Sequence, residues 1–389
     1  MNVLFLTHSF PRSEGDAAGS FILRLAVALR GENVNVRVVA PAGPGLPASD
    51  EIEGISIERF RYAPRRYEKL AYTGNMAADV ASSWTARLAL VGFLGSDFIH
   101  AVRARRSFEP ELVHAHWWFP NGVVGTWVSG LAHIPLVTTL HGTDVRLVRN
   151  VGFAKPMFAH VLKHSAAVTT VSRWLKDETE VLVPGVQPTV APMPVATNLF
   201  VPGSSRDGQR LLFVGRLNDQ KGAEHVVQAL AAMKTPAASL DVVGDGPNRE
   251  SLQQLAQQLG VGSRIRWHGQ LTQSELPSLY QRAAAVVIPS VDEGLGLVAV
   301  EALLCETPVV AFDSGGLRDV VQHEKTGLLV KPGDSAALAH ALDDLLAREG
   351  RGSGLGRAGR LYALSAFAPE SAARRYREIY RQVLGANAS

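Results

Sequence analysis

A single cysteine, Cys305, stands in 389 residues, so no disulfide can form within the chain and no metal site can rest on cysteine spacing. A reducing compartment is the expected setting. Long apolar runs are lacking too, since no uninterrupted stretch approaches the roughly 18 to 20 residues that a membrane-spanning helix requires. The opening stretch, Met1 to Phe10, has a short apolar core and no basic leader, and reads as a strand entering a loop rather than a signal peptide. A cytoplasmic protein is expected, with peripheral contact to the inner membrane face left open. Charge of one sign is scarce: 39 Lys and Arg against 36 Asp and Glu leave a formal net charge of +3. That excess is too small for a nucleic-acid footprint, and no nucleic-acid partner is expected.

What is present is the composition of packed α/β layers, with 46% hydrophobic and 19% charged residues, over a length that predicts about two domains. Val3 to Leu6, a glycine-containing loop, a periodic stretch from Phe21 to Leu29 and Val34 to Val39 read as strand, loop, helix and strand. Short apolar runs at Leu112-Val113, Pro135 to Leu140 and Ala167 to Val171 each end in a polar cluster, as parallel strands do. Prolines 184, 188, 192, 194 and 202 then interrupt regular structure, as a linker between domains would. After them the pattern restarts, with strands expected at 211–215, 239–243, 265–267, 285–288 and 309–311 and helices at 223–233 and 248–259. The expected division is 1–190, 191–368 and a terminal helical segment, 369–389.

Three strand-end loops in the second half carry chemistry. Glu293-Gly294-Leu295-Gly296-Leu297-Val298 leads from an apolar strand into an apolar helix that bears Glu301. Glycines there permit a tight turn, and helix-start amides can hold phosphate or sugar oxygens. The two carboxylates suit ribose hydroxyls and a transferred sugar, although a glycine loop with solvated glutamates fits the spacing equally. In Gly215-Arg216-Leu217-Asn218-Asp219-Gln220-Lys221-Gly222, Arg216 and Lys221 could reach one diphosphate and stabilise the charge left on its departure. Solvated basic residues are the bland alternative. Gly244-Asp245-Gly246-Pro247 is a third such loop, or a simple turn.

In this order the three segments resemble the group 1 (family 4 type) retaining GT-B glycosyltransferases over nearly the whole chain. The most specific matches are the E-x(7)-E pair Glu293 and Glu301 and the G-R-L-x-x-x-K-G segment at Gly215 to Gly222. The resemblance implies an α/β GT-B fold, two Rossmann-like doubly wound domains facing a cleft, with a C-terminal helix returning to the first domain. It implies that Arg216 and Lys221 bind the donor diphosphate and Glu301 the ribose. Glu293 and the amides after it, from Gly294 to Val298, would contact donor sugar and phosphate, with Gly215 and Gly244 shaping the loops. The stretch around His268-Gly269-Gln270-Leu271 would meet the nucleobase through its main chain. His141, in His141-Gly142-Thr143-Asp144, would point toward the transferred sugar, and Gly19 would stand where the family's paired-glycine loop approaches the phosphates. The catalytic set is thus His141, Arg216, Lys221 and Glu293, with no protein-bound metal or other cofactor.

Other features remain open between structure and function. His114, His116, Trp117, Trp118, Phe119 and Asn121 cluster after a short strand, as core packing or an acceptor platform; Trp117, Asn121 and Asp144 are the acceptor-binding candidates. Between Arg59 and Arg106, basic residues at 59, 61, 65, 66, 69, 87, 103, 105 and 106 face acids only at 68, 79 and 97. With Phe60, Tyr62, Tyr67 and Tyr72 interleaved, this stretch suits an anionic acceptor, an anionic membrane or a solvated helical face. The stripe Ala373, Tyr376, Ile379, Tyr380 and Val383 predicts an amphipathic terminal helix. The expected reaction moves a hexosyl unit from a nucleoside diphosphate sugar to a hydroxyl of a glycan or lipid-linked acceptor, as in bacterial glycan, glycolipid or polysaccharide biosynthesis. A sugar-nucleotide 2-epimerase of the same fold and a non-catalytic sugar-nucleotide-binding protein are the alternatives. A glycosidase would have no use for a diphosphate site.

Overall fold

Short apolar runs punctuated by glycine loops form strands in the order the sequence gives them, and the intervening 3.6-residue stripes form the helices that cover them. The computed structural model describes residues 1–72, 76–204, 206–347 and 350–386. Its first elements are β1 (Asn2–Leu6), α1 (Ser20–Gly31), β2 (Asn35–Pro41), β3 (Ser49–Ile52), β4 (Ile55–Phe60), α2 (Met76–Ser82) and α3 (Trp84–Phe108). There follow β5 (Leu112–His116), α4 (Val123–Ala132), β6 (Leu136–Leu140), α5 (Thr143–Asn150), α6 (Lys155–His164), β7 (Ala167–Thr170), α7 (Arg173–Leu182) and β8 (Thr189–Val190). Next come β9 (Arg210–Val214), α8 (Ala223–Ala232), β10 (Ser239–Val243), α9 (Arg249–Gln258), β11 (Ile265–Gly269), α10 (Leu276–Arg282) and β12 (Ala285–Ile288). The chain closes with α11 (Leu297–Leu304), β13 (Val309–Phe312), α12 (Leu317–Val320), β14 (Gly327–Val330), α13 (Ser335–Ala347), α14 (Arg351–Phe367) and α15 (Pro369–Ala386).

Two units result, Met1–Pro194 with Pro369–Ser389 and Val195–Ala368. The first holds a sheet in the order β3-β4-β2-β1-β5-β6-β7-β8, parallel except for the β3–β4 hairpin. That hairpin was not anticipated; its Glu53-Gly54 turn has positive φ at both residues, the geometry a two-residue connection prefers. The second holds a wholly parallel sheet, β11-β10-β9-β12-β13-β14. Val3 to Leu6 and Ala285 to Ile288 are buried throughout, because helices cover both faces of a parallel sheet and its strands therefore read as continuous apolar runs.

In each sheet the chain reverses its direction of winding once, between β1 and β5 in the first and between β9 and β12 in the second. Doubly wound sheets bind ligands outside the carboxyl ends of the strands at this switch point. The loops after β1, β5, β9 and β12 are therefore the ones that matter.

The terminal stripe is buried as its spacing requires, with Ala373, Tyr376, Ile379, Tyr380 and Val383 all inside. Tyr376 donates from its hydroxyl to Ala191 O at 3.1 Å and Tyr380 bonds His114 Nδ1 at 2.7 Å, which ties α15 to the first unit. α3 departs from the sequence reading. It is the one helix among the described residues long and apolar enough, by length and composition, to cross a membrane. Arg87 and Asp97 interrupt its sequence, so no continuous apolar run shows, while its apolar residues lie all round the helix.

Candidate active site

The strand-end loops of the second unit are built outward from β9. Gly215 N donates to Val243 O at 3.0 Å, Leu217 N to Asp245 O at 3.0 Å and Gly244 N to Gly269 O at 2.8 Å, so the carboxyl ends of β9, β10 and β11 are laced together. Gly244 has φ of +127°, and a Cβ there would lie 1.9 Å from Gly215 O; only glycine allows the approach. Asn218 Oδ1 accepts from Lys221 N at 3.2 Å, fixing the tight turn that carries the lysine.

Across the switch point, Gly222 abuts Pro289 O, where a Cβ would stand at 2.4 Å, and Val291 N donates to Gln220 O at 3.0 Å. These contacts bring Lys221 Nζ within 2.7 Å of Glu293 Oε2. Two residues 72 positions apart thus form one partly buried ion pair, while Arg216 lies half-buried in the same β9 loop. Gly296, with φ of +92°, caps α11, and the half-buried Leu297 and Val298 form its first turn, whose amides lack intrahelical partners. Gly294 and Leu295 are buried.

Glu301 accepts a hydrogen bond from Tyr280 OH at 2.7 Å. Burial pushes its pKa up to about 7, against the opposing effect of the tyrosine. Tyr280 was not anticipated, because nothing in a helix of the sequence Leu276–Arg282 points to a carboxylate 21 residues away. Gly315 and Gly316 were missed for the same reason. Gly316 N donates to Glu293 O at 2.7 Å, and a Cβ at Gly316 would lie 2.2 Å from Gly294 O, so the loop after β13 braces the Glu293 loop from behind. The His268 side chain, by contrast, turns toward the sheet, with Nε2 at 2.8 Å from Asp241 Oδ1. Leu271 follows in a half-exposed loop.

In the first unit the switch point gathers four histidines. His8 Nδ1 donates to Asn121 Oδ1 at 3.0 Å, and Asn121 Nδ2 donates to the buried Asp97 Oδ2 at 3.1 Å. His116 Nδ1 and His141 Nε2 are 3.2 Å apart, and His114 Nε2 bonds Thr139 Oγ1 at 2.7 Å. Burial pushes His8 down to about 4 and His114 to about 3. Burial, and then mutual repulsion, hold His116 and His141 well below the usual range, so the cluster is neutral. Trp117 packs, tilted, between His8 and His141, its ring centroid 4.3 Å from each.

Each of the acceptor candidates has hydrogen-bond partners within the protein. Asn121 is fully buried and spent on His8 and Asp97. Trp117 is nearly buried, with Nε1 donating to Thr143 Oγ1 at 3.1 Å. Asp144 accepts from the amides of His141, Gly142 and Val145 at 3.1, 2.8 and 3.0 Å, and burial raises its pKa to about 6. Trp117 and Asp144 thus brace the His141 loop and Asn121 links His8 to Asp97; a polar group in a sequence does not show which such partners it will find within the fold. Gly19, with φ of +69°, caps α1, and a Cβ there would stand 2.3 Å from Ser9 O, so the fold requires glycine at this position.

Residues 196–361 match the family of glycosyl transferases group 1, and residues 18–199 match glycosyltransferase family 4. A D-inositol 3-phosphate glycosyltransferase of Frankia alni is 30% identical over 387 residues, spanning 87% of this chain and 89% of its own. Among solved structures, sucrose-phosphate synthase from Thermosynechococcus elongatus is similar with a TM-score of 0.80 at 23% identity over 99% of both chains. Anabaena HepE, solved in complex with UDP-glucose, gives 0.74 at 20% identity over 98% of this chain and 100% of its own. The two doubly wound sheets with their switch-point loops, the two family matches in tandem and the full-length relative agree: the chain belongs to the group 1, family 4 type, glycosyltransferases of GT-B fold.

Proposed function

We propose that the protein transfers a hexosyl unit from a nucleoside diphosphate sugar to an acceptor hydroxyl with retention of anomeric configuration, in bacterial glycan, glycolipid or polysaccharide biosynthesis. The observation that carries the reading is the Lys221–Glu293 pair, which joins the two strand-end loops of the second unit at its switch point. That sits where an α/β sheet receives a nucleotide. The relatives lend support: HepE was solved with UDP-glucose, and the Frankia alni protein carries the name of a glycosyltransferase.

In this reading Lys221 exchanges its carboxylate partner for the donor diphosphate and, with Arg216 and the first-turn amides of α11, stabilises the charge that grows as the glycosidic bond breaks. Glu293, released, accepts hydrogen bonds from sugar hydroxyls, and Glu301 from the ribose. The departing diphosphate takes the acceptor proton, so no dedicated base is required. In this reading the first unit binds the acceptor, and neutral His141 supplies a hydrogen bond to the sugar in transit.

The test has two stages. A panel of nucleoside diphosphate sugars is screened by thermal shift, where the donor stabilises by RT ln(1 + [L]/Kd). Product is then followed by NMR with and without acceptor. Lys221→Ala and Glu293→Gln should each lower kcat by about 10²- to 10³-fold, the cost of removing one electrostatic contact from a charged transition state. Epimerised sugar from donor alone would replace the transferase reading with the epimerase one, and unchanged turnover in Glu293→Gln would remove that residue from the site.

A further inference from the structure

The helix α3 has two apolar faces, and only one of them is used. Ala89, Phe93, Ala101 and Ala104 are buried together with the single acid of the helix, Asp97. On the opposite side Trp84, Leu88, Val91 and Ile99 are 69%, 61%, 69% and 49% exposed, with Gly95 in open space between the last two. Steps of three and four residues place them on one stripe, which the exposed Arg103 and Arg106 prolong toward the helix C-terminus. From α4, Trp127 and Leu131 are 45% and 61% exposed, and Trp127 meets Phe98 of α3 at a ring-centroid separation of 6.1 Å. The patch thus extends across two helices.

Its rim is basic. The segment from Arg61 to Lys69 is held against α3 by Ser96, whose hydroxyl donates to Arg61 O at 2.7 Å, and by Gly92, where a Cβ would lie 2.2 Å from Tyr62 O. It presents Arg61, Arg65, Arg66 and Lys69 as exposed residues, and its one acid, Glu68, is paired with Arg61. Arg87 is likewise exposed beside the stripe. Arg59 does not belong to this set: its side chain is buried and donates to Pro11 O at 2.7 Å.

A contiguous exposed patch of two tryptophans, two leucines, a valine and an isoleucine is uncommon on a monomeric soluble protein. Tryptophan and aliphatic groups rimmed by arginine suit the boundary between headgroups and acyl chains of an anionic bilayer. A second copy fits poorly, since a twofold contact would set the same arginines against each other with no free acid on the stripe to oppose them. We propose that the α3 stripe with Trp127 and Leu131 is a docking surface for an anionic lipid membrane. The apolar side chains enter the interface and the flanking arginines and Lys69 meet lipid phosphates. This inference rests on surface chemistry and is independent of the donor reading.

Co-sedimentation of the full chain with vesicles of phosphatidylglycerol and phosphatidylcholine, and with phosphatidylcholine alone, tests it, alongside solution mass by light scattering. Binding to the anionic vesicles, little to the neutral ones, and a fall of about fivefold for each of Arg103→Gln and Arg106→Gln is expected. The triple variant Trp84→Ser, Leu88→Ser, Val91→Ser should lose binding while keeping its Tm, because these side chains are exposed. Equal binding to both vesicles would overturn the assigned charge. Absence of binding, binding unchanged in the triple variant, or a dimer abolished by that variant would each overturn the membrane assignment.

Discussion

Tyr280 OH and Glu301 Oε2 stand 2.7 Å apart with burial as the dominant force on both. An ionised Glu301 is the better acceptor for ribose hydroxyls, and with its pKa raised to about 7 it is ionised only above that pH. On the proposed role, kcat/KM for the donor rises as pH climbs through about 7. Tyr280→Phe removes the hydrogen bond that favours the charged form and should move the midpoint higher; a profile unmoved by the substitution would dissociate Glu301 from donor binding. His141 is governed by its neighbour. His116 Nε2 is buried without a partner, and an orphaned buried N–H is rarer than an orphaned lone pair, so the His116 proton belongs on Nδ1 and is donated to His141 Nε2. His141 then carries its own proton on Nδ1. Nitrogen NMR of the imidazoles should show that tautomer in the native chain, and His116→Phe should erase it while lowering kcat about tenfold with the donor KM little changed.

At the scale of elements, the proposed donor site is four loops at the ends of β9, β10, β12 and β13, held at separations that admit no side chain. Gly244→Ala would place a methyl 1.9 Å from Gly215 O at a φ of +127°. Strain of this kind costs about 1–3 kcal/mol before the clash, so a lowered denaturation midpoint and a weakened thermal shift with donor are expected together. Gly95→Ala, in open space on α3, should instead leave stability unchanged or raise it by about 1 kcal/mol, since alanine is the better helix former. The β9 and β12 loops were legible in the sequence because each is a local strand-loop-helix unit with glycine and charge at fixed spacing. The Ser314-Gly315-Gly316 brace was not, since a short polar glycine run has the same composition whether it turns in solvent or packs on another loop.

For the whole molecule, buried titratable groups set the response to acid. His8, His114, His116 and His141 have pKa values below the unfolded 6.5, whereas Asp97, Asp144 and Glu301 lie above the usual carboxylate range. Between about pH 4.5 and 6.5 the unfolded chain binds protons that the four folded histidines refuse, while the three folded carboxyls keep protons the unfolded chain releases. The histidines outnumber the carboxyls, so stability should rise with pH across that window. His114→Gln, which can retain partners in Thr139 and Tyr380, should flatten the slope; a slope unchanged or reversed in urea titrations across this range would contradict the assignment.

Sequence by itself determined the two Rossmann-like sheets and the amphipathic α15, and it picked out the charged residues proposed for the donor site. Strand runs, helical stripes and glycine loops are local patterns, written within a few residues of where they act. It could not determine that Lys221 pairs with Glu293, that Tyr280 holds Glu301, that His116 sets the proton on His141, or that Asn121 and Asp144 face inward. Each of those depends on residues 21 to 113 positions apart meeting at a strand end, or on burial deciding whether a polar group serves a ligand or the fold. The α3 surface was decided in the same way. Its sequence holds apolar residues all round the helix, and only packing on one side reveals which of them remain exposed.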